Sequence, residues 1–219
     1  MQLARPAVSL TDFALAIECT AFVAVLMAQP ASDPMLRNLF VAFFASVSIA
    51  SMLGGTMHGF FEYSTRPVRG VLWAATLVAV VLAGFAEWTI GAALLGDAAV
   101  SQWIIGFALL LTVACLWTVL FVRRDFTVAI VAYVPATLFF LASLAVTYRQ
   151  SPDPALAWGA AGLVLVFLGA GLQQLGVALP RIRLDHNTLY HIIQGVALWL
   201  IYLAADWLVV ARLLARSAT

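Results

Sequence analysis

A chain of 219 residues that is 64% hydrophobic and 10% charged, with mean hydropathy +1.04, cannot cover a water-soluble domain, which needs about 25% charged residues. Nor is it disordered, since disorder requires low hydrophobicity and high charge. All eleven basic residues are arginine and the net charge is +1, which excludes a lysine Schiff base and a P-loop and leaves no basic surface for nucleic acid.

Seven apolar runs of about 20 residues predict an all-α integral membrane protein, a single domain built as a seven-transmembrane-helix bundle. The first helix is expected at 10–29 and contains Asp12, Glu18 and Cys19. Glu18 interrupts its apolar core and Pro30 follows its small residues, so it reads as a helix and not a cleaved signal peptide. The second, at 36–62, carries Ser51, Gly54, Gly55, His58, Gly59 and Glu62. Ser51, Gly55, His58 and Glu62 follow i, i+4, i+7, i+11 and therefore share a helix face; the glycines leave room beside it for a helix or a ligand. The third, at 70–95, holds Glu87, and the fourth, at 102–122, holds Cys115. Both cysteines read as small buried hydrophobes.

The fifth helix, at 126–148, contains Pro135, which should kink it or weaken a turn. The sixth, at 155–179, sets Gly159, Gly162, Gly169 and Gly176 near one face, permitting close helix approach, with Gln173 on that face. The seventh, at 187–211, is opened by Asp185 and His186 and carries Asn187, His191 and Gln194 at i, i+4, i+7. Asp206 lies toward its far end, and Trp103, Trp158 and Trp207 read as interfacial anchors. The connections are short, so consecutive helices should be antiparallel neighbours.

Arginine asymmetry orients the bundle. One face holds Arg5, Arg66, Arg69, Arg123, Arg124, Arg181 and Arg183, and the other Arg37, Arg149, Arg212 and Arg216. Seven against four predicts a cytoplasmic N-terminus. Arginine without lysine also suits a GC-rich bacterial gene, and so a bacterial plasma (inner) membrane.

All three histidines then fall in one leaflet, on two helices. An ionisable residue deep in lipid costs about 2.5–3.5 kcal/mol on insertion scales, so this coincidence is the main functional signal. Three imidazoles beside carboxylates suit a zinc site with His58, His186 and His191 as ligands and water in the fourth position. Glu62 would act as general base, with Asp185 or Glu18 in the same role or holding a ligand imidazole. Ser51, Asn187 and Gln194 would position water or polarise a scissile carbonyl, with Gln173 pointing inward. His186 lies five residues from His191, about 140° round an ideal helix, and joins the site only if it precedes the regular helix. Two other readings stay open: a b-type haem with His58 and His191 as axial ligands, and a non-catalytic receptor or small-solute carrier whose polar cluster lines a cavity. A plainer one also stands, in which histidines at helix ends simply hydrogen-bond at headgroup depth.

Seven helices, with His58 late in the second and the segment Asp185-His186-Asn187-Thr188-Leu189-Tyr190-His191 opening the seventh, resemble the CREST superfamily, which includes alkaline ceramidases, the progestin and adiponectin receptor family, and Per1-like proteins. The resemblance implies zinc held by the histidines and hydrolysis of an amide or ester bond in a membrane lipid. Three positions differ from the family's pattern. Gly54 replaces a serine, Glu62 stands where an aspartate is usual, and His186 and His191 are one residue further apart than HxxxH.

Overall fold

The computed structural model describes residues 3–179 and 184–217. Seven helices make up the bundle: α1 Pro6–Ala28, α2 Pro34–Thr56, α3 Pro67–Leu95, α4 Ala98–Trp117, α5 Phe126–Gln150, α6 Pro154–Gln174 and α7 His186–Ser217. All seven are long and apolar enough to cross a membrane. Trp103, Leu110 and Ile17 are 79%, 73% and 67% exposed on the bundle's outside, as suits a surface that faces hydrocarbon instead of water. Arg181 and Arg183, and the side chains of Arg212 and Arg216, which entered the orientation argument, lie outside the described residues.

Aspartate and proline start these helices. Asp33, Asp97, Asp125 and Asp153 each accept from a backbone N–H in the first turn of α2, α4, α5 and α6, satisfying a donor that has no partner inside the helix. Asp185 does the same for α7, accepting from the Thr188 N–H at 2.8 Å. Five of the ten carboxylates are thus spent on caps, and Asp12, Glu18, Glu62, Glu87 and Asp206 are left over. Pro opens α1, α2, α3 and α6, where its missing N–H costs nothing.

The ends differ more from expectation. α6 stops at Gln174, five residues short of 179, because Gly176 takes a left-handed φ of 67° and turns the chain, the usual signature of a helix end. Leu179 and Leu184 then bond to each other's backbone and close the connection into α7, which begins at His186 and runs past 211 to Ser217. α1 begins at Pro6, four residues before the expected 10, and α5 runs unbroken through Pro135. α2 and α4 each end in a π-helical turn, Met57–Phe61 and Thr118–Val122.

Consecutive helices pair in α1–α2, α2–α3 and α6–α7, but α3 packs as extensively on α5 as on α2, with α4 outside. Only Ala108, Thr112 and Cys115 of α4 are buried. Small residues set these pairs: a Cβ on Gly162 would lie 2.6 Å from the Ala197 carbonyl oxygen, and one on Gly84 would lie 2.9 Å from that of Ala132. The main core gathers Phe22, Phe40, Phe43, Phe44 and Phe140 with aliphatic residues of α6 and α7. A smaller core joins α3, α4 and α5 around Leu77, Val119 and Ala129.

Candidate functional site

The start of α1, the end of α2 and the start of α7 meet at the end of the bundle that holds the N-terminus. The glycines of α2 make this possible. A Cβ on Gly59 would lie 2.6 Å from Ser9 Oγ, and one on Gly55 would lie 3.0 Å from Asp12 Cβ and the Phe13 ring. The space they open is filled by α1, whose Ser9 hydroxyl donates to the Gly55 carbonyl at 2.7 Å. The Ala4 N–H donates to the Gly59 carbonyl at 2.9 Å. Asp12 is thereby pressed between α2 and α7, 5% exposed.

His58 sits in the π-helical turn that ends α2. Such a turn holds an extra residue, so His58 and Glu62 depart from the straight stripe that ideal helical spacing draws from Ser51. His58 Nδ1 lies 2.8 Å from Glu62 Oε2, and Glu62 Oε1 is 3.6 Å from Arg5 Nη1. A carboxylate so close accepts, which places a proton on Nδ1; in the neutral imidazole Nε2 then keeps its lone pair.

His191 has the same tautomer for a different reason. Its Nδ1 is 3.1 Å from Thr11 Oγ1. Thr11 Oγ1 also lies 3.0 and 2.9 Å from the Ala7 and Val8 carbonyls; with its single hydrogen spent there, Thr11 accepts from His191 Nδ1–H. Nε2 is again the lone-pair nitrogen, and it faces Asp12 Oδ1 at 3.4 Å. Asp12 Oδ2 is buried with no partner among the described residues.

Arg5 latches the three elements. Its Nη2 donates to Asp185 Oδ2 at 2.7 Å, while Asp185 Oδ1 accepts from the Thr188 N–H and hydroxyl at 2.8 and 2.7 Å. Partial burial raises the Asp185 pKa, but the Thr188 bonds and Arg5 outweigh it and bring the group down to about 2. Asp185 is therefore a cap and a latch. Asn187 stands 2.9 Å from Gln173 Nε2. With its amide turned over, its oxygen accepts from Arg5 at 3.0 and 3.3 Å.

Of the residues singled out in the sequence, His58, Glu62, Asp185, Asn187, Gln173 and His191 join this polar end. Ser51 is buried about two turns deeper on α2 than His58 and, like the half-buried Gln194 and His186, makes no side-chain hydrogen bond among the described residues. Glu18 lies along α1 against α7, where a Cβ on Gly195 would come within 3.3 Å of its Oε2. Glu87, bonded to Thr137 of α5, and Asp206, beside Tyr202 of α7, take no part in these contacts. Sequence reasoning assigned no role here to Arg5, Thr11 or Asp12. The available signal was Asp12 itself, a carboxylate one turn into an apolar helix and not at a cap position.

Zinc, the expected cofactor, takes imidazole nitrogens and carboxylate oxygens as donors, and the residues here supply both. They fit in kind: two imidazoles each have Nδ1 fixed by an oxygen, the way metal-bound histidines are usually oriented, and a carboxylate adjoins one of them. Among the described residues, however, no three His, Cys, Asp or Glu side chains are already gathered as a ligand set.

The chain belongs to a family of unknown function, DUF6962, whose sequence profile matches residues 7–208. No curated protein and no solved structure matches it.

Proposed function

We propose that this protein is a zinc-dependent integral membrane hydrolase, N-terminus cytoplasmic, that cleaves an amide or ester bond of a membrane lipid near the cytoplasmic leaflet. One observation carries the reading: two imidazoles from different helices, His58 and His191, each present an Nε2 lone pair at the same end of the bundle, each locked by an oxygen at Nδ1. Bound zinc would be held by these nitrogens and would supply a water whose pKa falls to about 7. The chain's own residues do the positioning. Glu62 orients His58 and is itself held by Arg5, while Thr11 orients His191. Ser51, Asn187 and Gln194 are the polar groups to steer a lipid carbonyl. Arginine asymmetry supports the orientation, and the lysine-free composition supports a bacterial plasma membrane.

The test is elemental analysis of detergent-purified protein beside His58→Ala and His191→Ala, with lipid turnover assayed on the same samples. About one zinc per chain and turnover, both lost in the variants, are expected. Turnover unchanged in both variants would end the hydrolase reading. A second reading, a non-catalytic receptor or carrier with a polar binding cavity, is favoured by the ligands not being gathered; metal-free wild type that still binds a small solute would select it. A Soret band in the same sample would select the haem alternative.

A further inference from the structure

The resemblance assigns the third zinc ligand to His186, but the geometry points to Asp12. We propose that the metal site is an Asp–His–His set drawn from three helices, Asp12 of α1, His58 of α2 and His191 of α7. This rests on the zinc reading above and changes its ligand set.

Three features of Asp12 carry the inference. Its Oδ1 stands 3.4 Å from His191 Nε2, beyond the usual 2.7–3.2 Å of an N–H···O bond. Ligands held at about 2.0–2.2 Å around a tetrahedral zinc lie roughly 3.3–3.5 Å from each other, so the observed separation is that of two ligands sharing an ion. The tautomer argues the same way. Because Nδ1 carries the proton shared with Thr11, Nε2 turns a lone pair toward a carboxylate oxygen. Unless a proton bridges them, two acceptors face each other, an arrangement that a cation between them would satisfy. Third, Oδ2 has no partner although Asp12 is 5% exposed. A buried carboxylate without a donor is expensive, and a metal ion would satisfy it.

His58 completes the set from the neighbouring helix. Asp12 packs on Gly54 and Gly55, and His58 follows them by about one turn at the same end of α2. The three side chains are not yet gathered about one point among the described residues, so ion binding would draw them together. His186, in contrast, is the first residue of a regular α7, about 140° round from His191, and makes no side-chain hydrogen bond among the described residues. The five-residue spacing that breaks the HxxxH pattern is explained if His186 has no ligand role and a carboxylate from α1 takes its place. A carboxylate in that position would also lower the net charge of the zinc site by one, relative to three neutral imidazoles.

The full chain, purified in detergent and stripped of metal, is titrated with Zn2+ alone and, separately, with Co2+ while its absorption is followed. Relative to wild type, His186→Ala is expected to leave zinc affinity within about threefold, whereas Asp12→Asn should weaken it by more than the roughly 10–100-fold that an outer-shell partner is worth. Asp12→Cys guards against a merely structural effect: a thiolate at position 12 would add a sulfur-to-cobalt charge-transfer band only if that residue binds the ion. Zinc retained in Asp12→Asn, or lost in His186→Ala, overturns the Asp12 assignment while leaving the hydrolase reading standing. Wild type that binds no zinc removes both.

Discussion

Two carboxylates are buried in the helices of this bundle, and their surroundings differ. Glu87 on α3 is 0% exposed. Its Oε2 accepts from the Thr137 hydroxyl of α5 at 2.7 Å, and the Tyr133 phenol is beside it. It has no imidazole or guanidinium partner among the described residues. Gly84 and Gly91, one turn to either side, let α5 close over it. Asp12 on α1 is nearly as buried and, like Glu87, keeps one carboxylate oxygen without a partner among the described residues, but its other oxygen faces His191 Nε2 instead of a hydroxyl. Burial is therefore not what distinguishes a site here. Hydroxyl donors make Glu87 a bond between helices, whereas an opposing acceptor makes Asp12 a place for a cation.

The largest effects should separate the two regions outright. Replacing His58 or His191 with alanine should reduce lipid turnover by more than the ~100-fold upper range of an outer-shell loss, while Glu87→Gln, which can still accept from Thr137, should leave turnover within about threefold. Equal losses in a turnover assay at all three positions would erase the contrast.

Alanine at two glycines sharpens it. Gly84→Ala drives a methyl against the Ala132 backbone and should cost about 1–3 kcal/mol of stability, read as a lower melting temperature in detergent. Gly55→Ala meets the Asp12 Cβ and the Phe13 ring instead. A ring can shift, so it should destabilise less than Gly84→Ala and impair zinc binding more. The reverse ranking would mean that α1 is held only by packing.

Thr137→Val leaves the Glu87 carboxyl without its hydroxyl donor and should cost about 1–3 kcal/mol, with no change in metal content; a melting curve and elemental analysis on one sample check both.

The smallest effect belongs to the latch. Arg5→Gln removes two ion pairs from a partly exposed side chain, so about 1 kcal/mol or less is expected. Its pH dependence is more telling. Asp185 has a folded pKa of about 2, below its ordinary 3.8, so its contribution is complete above pH ~4 and is lost as pH falls toward 2. Without Arg5 the folded pKa moves back toward 3.8, so that acid limb should be shallower and end at higher pH, as melting between pH 5 and 2 would show.

The helix count, the spans and one polar end were all legible in the chain, because a bilayer demands about 20 apolar residues per crossing and makes every interruption conspicuous. His58, Glu62, Asn187 and His191 stood out for that reason. Roles were harder to read. Glu62 looked like a free base, but Arg5 and His58 occupy it. Asp185 looked catalytic, but it caps α7, as four other aspartates cap theirs, a pattern that the X-Asp before each run could have suggested. Arg5 was weighed only as a loop charge.

Composition and periodicity by themselves determined the seven-helix architecture, since hydrophobic length and cap residues are local properties of the chain. Only tertiary structure decided that Asp12 meets His191, that a π-helical turn re-aims His58, and that α3 pairs with α5 across α4. Those contacts join residues up to 180 positions apart, and no local rule says which faces of two equally apolar helices will touch. In lipid that choice falls to small residues and polar partners, whose fit exists only once the helices are side by side.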